Sequence, residues 1–181
     1  MAYSGKDFED NFKTSWAKQL PTCSLLRLYD SVSGYKAIAN PCDFVAGTPY
    51  GTVYIECKTT KSTSFSFNDL MDRQFEDLLD VSLEKEYTNG GVLVYFRKGE
   101  GIVKYYPIEH IAQIKLSGIK SVNPTKHINA GYEIGFTKRR VNIQINCEDL
   151  LDAFKLYYGE RSEDFWGTER SYLKSIYGKK K

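Results

Sequence analysis

The sequence predicts an α/β protein in which helices flank a mixed β-sheet, because helical and strand-like patterns alternate along a chain without internal repeats or linkers. Residues 4–20 carry an apolar stripe at intervals of four, which indicates an amphipathic helix. The stripe consists of Phe8, Phe12, Trp16 and Leu20. A second helical pattern over residues 67–86 precedes the continuous apolar run from Val92 to Phe96, which is typical of a buried central strand.

The composition favours a single globular domain. A chain of 181 residues with 41% hydrophobic and 27% charged residues is large enough for a core and ordinary in its polarity. We expect this domain to span residues 1–158, and residues 159–181 to form a C-terminal arm of aromatic and basic residues whose structure the pattern leaves open. The net charge of +2 permits nucleic-acid binding without requiring it.

The cysteine pattern and the amino terminus predict a protein of the reducing cytoplasm. The absence of a CxxC pair argues against a zinc site, and Cys57 is expected to be a buried free thiol. The first residues lack the apolar run of a secretory signal, and no segment approaches the roughly 18 apolar residues of a membrane span. The four cysteines are Cys23, Cys42, Cys57 and Cys147.

In the first helix, Ser4 is the predicted N-cap, and Asp7 closes a capping box three residues later. Glu9 lies beside the apolar stripe, near the place where this helix would pack on the sheet. Two interpretations of Glu9 stay open. It is either a solvated acid of the first turn or a third acid at the site described next.

The stretch from Asp43 to Lys58 is predicted to fold as a β-hairpin, because turn-forming residues lie at its centre. These residues are Gly47, Pro49 and Gly51. With Gly47 opposite Thr52, an antiparallel hairpin places Asp43 directly across from Glu56, with Cβ atoms about 4.5–5.5 Å apart. Strand alternation returns Lys58 to the same face and turns the apolar residues of the strand toward a core.

Two carboxylates and a lysine therefore converge at the end of this hairpin. Two acids at such a distance repel each other unless a positive group lies between them, and a divalent cation held by oxygen ligands would satisfy both. Oxygen ligands favour Mg²⁺, with Mn²⁺ as a substitute, and the backbone carbonyl of Cys57 could supply a further ligand. Acids that hold a metal, with Lys58 orienting a water or offsetting charge on a phosphate, suit phosphodiester hydrolysis.

The second helix places a polar residue on its buried side. Leu70, Met71 and Phe75 are predicted to belong to the inner face, and Gln74 falls within the same arc. A buried amide needs partners, because leaving it unpaired costs about 1–3 kcal/mol. Gln74 is therefore either a core residue bonded to backbone or a residue that faces the carboxylates of the hairpin.

The remaining elements are predicted from shorter patterns. Asn89-Gly90-Gly91 is predicted to be a strong stop between the second helix and the central strand. Pro107 opens a short helix, and Asn146 caps a final helix that has acidic residues in its first turn. Further strand-like runs occupy residues 25–29, 102–106, 132–136 and 141–145.

Taken together, these residues resemble the PD-(D/E)xK nuclease superfamily, and the longer run is similar to RecU-type Holliday junction resolvases. The residues that carry the resemblance are Asp43, Ile55 to Phe65 with Glu56-Cys57-Lys58, Asp72-Arg73-Gln74 and Gly90-Gly91-Val92. The resemblance implies a restriction-endonuclease-like core and a magnesium-dependent endonuclease that cuts four-way DNA junctions as a homodimer. It also implies that Asp43 and Glu56 bind the metal, that Lys58 is catalytic and that Gln74 supports the site.

The chain departs from the family in two places. Pro41 stands where the family usually has a hydroxyl residue two positions before the aspartate, so a ligand role there is lost. The connector from Pro21 to Asp43 is shorter than the projecting stalk that such resolvases insert into a junction. Both nuclease action on ordinary duplex DNA, as in restriction or repair, and non-catalytic DNA binding on the same fold stay open as alternatives.

Basic residues outside the hairpin are candidates for contact with DNA phosphates. Lys138-Arg139-Arg140 forms the densest positive cluster before the terminus, at a predicted hairpin tip, although such runs are commonly only solvated. The other candidates are Lys36, Lys61 and Arg73. We expect DNA as the partner, with no organic cofactor and no membrane.

Overall fold

The computed structural model describes residues 3–29, 40–84, 87–140, 142–161 and 164–178. Its helices are α1 (Gly5–Gln19), α2 (Asp72–Glu84), α3 (Ile108–Leu116), α4 (Cys147–Arg161) and α5 (Asp164–Tyr177). Its strands are β1 (Ser24–Arg27), β2 (Phe44–Thr48), β3 (Gly51–Thr60), β4 (Phe65–Ser66), β5 (Thr88–Phe96), β6 (Ile102–Pro107), β7 (Ser121–Val122), β8 (Tyr132–Ile134), β9 (Phe136–Lys138) and β10 (Ile143–Ile145).

A six-stranded mixed sheet in the order β1-β2-β3-β5-β6-β8 forms the centre of the protein. The strands β3 and β5 pair in parallel, and the other neighbours pair antiparallel. Two short ladders, β4 with β7 and β9 with β10, lie outside this sheet. The predicted fold class, a mixed sheet flanked by helices, is confirmed.

Strand alternation divides the buried residues into two cores, one on each face of the sheet. On one face, α1 and α4 cover Ile55 and Cys57 of β3. On the other face, α2 and α3 cover Val92 and Val94 of β5. Because β5 is buried on both faces, its sequence is continuously apolar rather than alternating.

The first helix begins and packs as the sequence predicts. Ser4 caps α1 and forms a complete capping box with Asp7. Phe12 on the buried side of α1 meets Phe44 of β2 edge-to-face, with ring centroids 5.2 Å apart. At its other end, Gln19 donates to the carbonyl of Ile145 at 2.7 Å and accepts from the amide of Cys147 at 3.0 Å, which joins α1 to β10 and α4.

The start of the second helix differs from the prediction. A 3-10 helix at Phe67–Asp69 ends at Leu70, whose backbone is extended, and α2 begins only at Asp72. Met71 therefore precedes the helix and is 57% exposed, so its predicted place on the inner face was wrong. Gln74 and Phe75 do lie on the buried side of α2, as predicted.

The predicted stop at Asn89-Gly90-Gly91 was also wrong, because all three residues belong to strand β5. Both glycines are required by close packing rather than by a turn. A Cβ at Gly90 would lie 2.5 Å from the carbonyl oxygen of Leu78, and a Cβ at Gly91 would lie 2.3 Å from the hydroxyl of Tyr105. The two glycines therefore resemble a turn in the sequence, but they are needed because α2 and β6 approach strand β5 closely.

The segment after Gly159, whose structure the sequence left open, continues α4 to Arg161 and then forms α5. Leu173 of α5 is buried in the core beside α2 and α3. Tyr177 meets the ring of Phe75 edge-to-face at 5.6 Å between centroids. Within the described ranges, no helix is long and apolar enough to cross a membrane.

Candidate active site

The β2–β3 hairpin has the register that the sequence predicts, with Gly47 opposite Thr52. Its ladder ends at the pair Phe44 and Ile55, so Asp43 and Glu56 are the next facing positions. Asp43 accepts a hydrogen bond from the amide of Cys57 at its Oδ2, over 2.8 Å. The hairpin thereby places the Asp43 carboxylate at the point where β2 leaves β3.

The backbone of Cys57, rather than its thiol, belongs to this site. Its side chain is buried in the core on the opposite face of the sheet, as predicted. Its N–H points toward Asp43, and the N–H and C=O of one strand residue project to the same edge. The carbonyl oxygen of Cys57 therefore faces the same side as the Asp43 carboxylate.

Glu56 is the most constrained carboxylate of the site. The residue is only 2% exposed, and its Oε1 accepts from Lys58 Nζ and from Gln74 Nε2, each at 2.8 Å. Its Oε2 is buried and has no hydrogen-bond partner among the described residues. Burial raises the pKa of Glu56 to about 7, Asp43 adds to the shift, and Lys58 and Gln74 oppose it.

Gln74 connects α2 to the hairpin. Its Nε2 donates to Glu56, and its Oε1 accepts from Lys58 Nζ at 3.4 Å. The three side chains form a closed triangle, so the buried amide that the sequence singled out has both of its polar atoms engaged. Its partners are side chains of the predicted site and not the backbone.

The Glu9 carboxylate is neither solvated nor unpaired. Its side chain is 18% exposed and forms an ion pair with Arg27, whose guanidinium also bonds Asp10 at 2.7 Å. Burial and the nearby Asp43 carboxylate raise the pKa of Glu9, and Arg27 opposes the shift. The structure therefore brings Glu9 close to Asp43, with an arginine that compensates its charge.

Sequence reasoning missed Arg27. The residue lies opposite Phe44 in the β1–β2 ladder, one position from Asp43. Strand alternation within residues 25–29 predicts on which face of the strand Arg27 lies. It does not relate that face to Asp43 and Glu9, because this requires the pairing of β1 with β2.

Part of this set of side chains lines a cleft of about 640 Å³ between α1, the end of β1 and the start of α2. Its lining residues are Lys6, Glu9, Arg27, Leu28, Tyr29, Asn40, Cys42, Asp43, Met71 and Gln74. Both signs of charge are represented in this lining. The carboxylates of Glu9 and Asp43 belong to this lining, whereas Glu56 and Lys58 do not.

The described residues contain no group of three or more His, Cys, Asp or Glu side chains that could hold a metal ion. Glu9 is paired with Arg27, and the two carboxylates at the hairpin end are Asp43 and Glu56. Such a set does not form a protein cage, but Mg²⁺ is typically bound by one or two carboxylates together with water and substrate phosphates. The orphaned Oε2 of Glu56 and the carbonyl of Cys57 fit this kind of hard cation.

The two histidines, His110 and His127, lie away from the Asp43 cleft. His110 is packed against the ring of Tyr157 in an edge-to-face contact at 5.7 Å, and burial lowers its pKa to about 4. His127 accepts the amide of Asn123 at its Nδ1 over 3.0 Å. Neither residue lines the cleft at Asp43.

The predicted DNA contacts are spread over several surfaces. Lys61 is exposed just beyond β3, and Arg73 is exposed on the first turn of α2, where it pairs with Asp77 at 3.4 Å. Lys36 lies outside the described residues. Neither Lys61 nor Arg73 is part of the cleft lining at Asp43.

The cluster Lys138-Arg139-Arg140 lies on the other side of α1. Arg139 lines a small cleft of about 200 Å³ together with residues of α1, among them Asn11, Thr14 and Lys18. At about 100° per residue, these three positions lie on the side of α1 opposite to Glu9. The structure therefore does not bring the basic cluster into the cleft of Asp43.

No protein-family model and no curated protein matches the sequence. Among solved structures, the chain is similar to Hjc, a Holliday junction resolvase from the archaeal hyperthermophile Archaeoglobus fulgidus. The two chains are 19% identical over 71% of this chain and 95% of the resolvase, with a TM-score of 0.49. That likeness is too weak to assign an activity to this chain.

Proposed function

We propose that the protein is a magnesium-dependent, structure-selective DNA endonuclease that acts as a Holliday junction resolvase of the RecU type within the PD-(D/E)xK superfamily. The observation that carries the proposal is the environment of Glu56. One oxygen of this buried carboxylate is bonded by Lys58 and Gln74, while its other oxygen meets no partner in the described part of the chain and lies beside a second carboxylate.

A purely structural role does not account for this environment. An unpaired buried polar atom costs about 1–3 kcal/mol, and more for a charged group. The carboxylates of Glu9 and Asp10 pair with Arg27 through one oxygen each, but both side chains stay partly exposed, whereas the second oxygen of Glu56 is buried away from solvent. The contrast supports a Glu56 carboxylate that is completed by a ligand.

Asp43, the Oε2 of Glu56 and the backbone carbonyl of Cys57 are the groups that would hold Mg²⁺, or Mn²⁺ in its place. When bound, such an ion supplies Lewis-acid stabilisation of the charge that develops on a phosphate during hydrolysis. The thiol of Cys57 takes no part, because it is buried on the other face of the sheet.

The remaining residues position this machinery. Lys58 carries a positive charge 2.8 Å from Glu56 and is the residue that would orient a water or offset charge on the phosphate. Gln74 fixes both Glu56 and Lys58, so their relative orientation is set before a substrate binds. Glu9 is held beside Asp43 by Arg27 and adds negative charge to the same cleft.

A DNA substrate is supported by cations in the lining of the Asp43 cleft and by exposed cations outside it. Lys6 and Arg27 line the cleft, and Lys61 and Arg73 are exposed at the ends of the two elements that carry Lys58 and Gln74. We propose action as a homodimer, because a four-way junction is approximately two-fold symmetric and needs two cuts that a two-fold dimer can make.

The direct test compares a synthetic four-way junction with a linear duplex of the same sequence in Mg²⁺. We expect the wild-type protein to cut the junction and leave the duplex intact, and we expect Asp43→Asn and Glu56→Gln to abolish cutting. Glu76→Gln, on the exposed side of α2, is the matched control and retains activity. Cutting by a double Asp43→Asn/Glu56→Gln variant would end the proposal.

The same experiment separates the alternatives. Equal cutting of junction and duplex would favour a nuclease of the restriction or repair type. Tight, salt-sensitive junction binding without cutting in Mg²⁺ or Mn²⁺ would favour a non-catalytic DNA-binding protein.

A further inference from the structure

Two large apolar side chains are exposed on the lining of the cleft that contains Asp43. Tyr29, which follows β1, is 69% exposed, and Met71, which precedes α2, is 57% exposed. Exposed apolar groups that gather at a polar cleft are typical of a surface that contacts a ligand. The hydrogen bonds and ion pairs described above for the site involve neither of these two side chains.

The ring of Tyr29 is anchored although it is exposed. The guanidinium carbon of Arg27 lies 5.3 Å from the centroid of this ring, within the range of a cation–π contact. Arg27 is in turn fixed by Glu9 and Asp10. A ring that is already oriented loses less conformational entropy when a ligand packs against it.

The lining defines the chemistry of that ligand. Lys6 is an exposed cation in the same cleft and suits a phosphate, whereas Tyr29 and Met71 suit a flat apolar face. A nucleotide combines both features. Bases inside a duplex cover their faces with neighbouring bases, so only an unpaired or unstacked base offers a free face to an aromatic ring.

We propose that Tyr29, supported by Met71, stacks against an unpaired base next to the phosphate that occupies the Asp43 cleft, and so selects DNA with unstacked nucleotides at that point. This inference rests on the proposed nuclease function and names a specificity-determining residue for it. Arg27 connects the stacking ring to the acidic part of the cleft, because its guanidinium contacts both Tyr29 and the carboxylate of Glu9.

The test measures binding in EDTA, where no cutting occurs. Two DNA duplexes of equal length are compared, one fully paired and one with three unpaired nucleotides that include 2-aminopurine. Fluorescence anisotropy gives the dissociation constants, and the 2-aminopurine signal reports stacking of the unpaired base. The variants are Tyr29→Ala, Tyr29→Phe and Tyr87→Ala, the last being a matched control with the same 69% exposure at a residue outside the cleft.

We expect the wild-type protein to prefer the DNA with unpaired nucleotides and to change the 2-aminopurine signal on binding. Tyr29→Ala should weaken binding of that DNA about 5- to 150-fold, the range expected for one base–aromatic stack, with little change for the paired duplex. Tyr29→Phe keeps the ring and should behave like the wild type, as should Tyr87→Ala. Equal losses on both DNAs, or an unaffected Tyr29→Ala, would overturn the stacking role.

The outcome is separate from that of the nuclease assay. A wild-type protein that binds and stacks the unpaired base but never cuts in Mg²⁺ would refute the nuclease proposal and leave Tyr29 as a base-binding residue. If the Tyr29→Ala variant cuts junctions as fast as the wild type and binds them equally well, the nuclease proposal stands and the stacking role of Tyr29 is refuted. Tighter binding of the same probe made of RNA would contradict the choice of DNA.

Discussion

Gln74 donates a hydrogen bond of 2.8 Å from its Nε2 to the Oε1 of Glu56, and this contact joins helix α2 to strand β3. It fixes one oxygen of the buried carboxylate, whereas the second oxygen has no hydrogen-bond partner among the described residues. The arrangement has measurable consequences for the stability of the fold and for the chemistry of the site.

The first prediction concerns the pH dependence of stability in EDTA. Because burial raises the pKa of Glu56 from 4.5 to about 7, the folded protein holds more protons than the unfolded chain between these values. The free energy of unfolding therefore falls as pH rises through this window, by up to about 3 kcal/mol for this group. Above pH 7 the full penalty is present, and below pH 4.5 it is absent.

Glu56→Gln removes the charge that carries this penalty. We expect the variant to gain about 1–3 kcal/mol in the free energy of unfolding at pH 8, and nothing at pH 4. Urea denaturation at both pH values measures the difference, with Glu76→Gln on the exposed side of α2 as the control. A variant that is less stable than the wild type at pH 8 would show that the Glu56 carboxylate stabilises the metal-free fold.

The second prediction concerns Gln74 as a positioning residue. Gln74→Leu removes the hydrogen bond that lowers the pKa of Glu56, so the acid limb of the pH–rate profile should move to higher pH. The rate of cutting at neutral pH should fall about 10- to 100-fold, as is typical when a group that orients a metal ligand is lost. A lower rate with an unchanged pH profile would indicate that Gln74 has only a packing role.

The third prediction concerns the Arg27 ion pairs. Arg27→Met leaves the partly buried Glu9 carboxylate without its partner, so the free energy of unfolding should fall by about 1–3 kcal/mol, between the values for exposed and buried pairs. Arg27→Lys should recover only part of this loss, because one ammonium group cannot bridge Glu9 and Asp10 as a guanidinium does. Lys13→Met removes an exposed cation from α1, the helix that carries Glu9 and Asp10, and should cost no more than a few tenths of a kcal/mol. Equal effects of Arg27→Met and Lys13→Met would contradict the pairing.

The fourth prediction concerns the basic cluster across α1 from the cleft. If Arg139 and Arg140 contact phosphates, the double variant Arg139→Gln/Arg140→Gln should reduce the slope of log K against log salt by about 1–2. The cutting rate at saturating DNA should not change, because neither residue lines the Asp43 cleft. A Lys126→Gln/Lys155→Gln double variant removes two exposed cations elsewhere and serves as the control. An unaltered slope in the arginine variant would show that the cluster is merely solvated.

The hairpin could be predicted from the sequence because its signals are local. Turn residues at its centre and a side-chain period of two are sufficient to set the register that brings Asp43 opposite Glu56. The capping box of Ser4 and Asp7 is local in the same sense. Gln74 was recognisable because a polar residue fell on an otherwise apolar helical face.

The features that escaped prediction depend on tertiary contacts. The Arg27–Glu9 pair requires the pairing of β1 with β2 and the docking of α1, neither of which has a local signature. Gly90 and Gly91 were mistaken for a break because glycine marks both turns and close approaches of neighbouring elements. Met71 does not lie on the inner face of α2 as predicted, because a 3-10 helix precedes α2 and the helix begins only at Asp72. The exposed pair of Tyr29 and Met71 at the cleft became visible only with the structure.

The most direct measurement of the central claim is a titration of the metal-free protein with Mn²⁺, followed through the electron paramagnetic resonance signal of the free ion. We expect the wild-type chain to bind Mn²⁺ and Mg²⁺ to compete for the same site. Glu56→Gln and Asp43→Asn should weaken binding at least about tenfold, whereas Glu76→Gln should bind as the wild type does. Failure of the wild-type protein to bind the ion, or equal binding by Glu56→Gln, would contradict a metal site at the end of the β2–β3 hairpin.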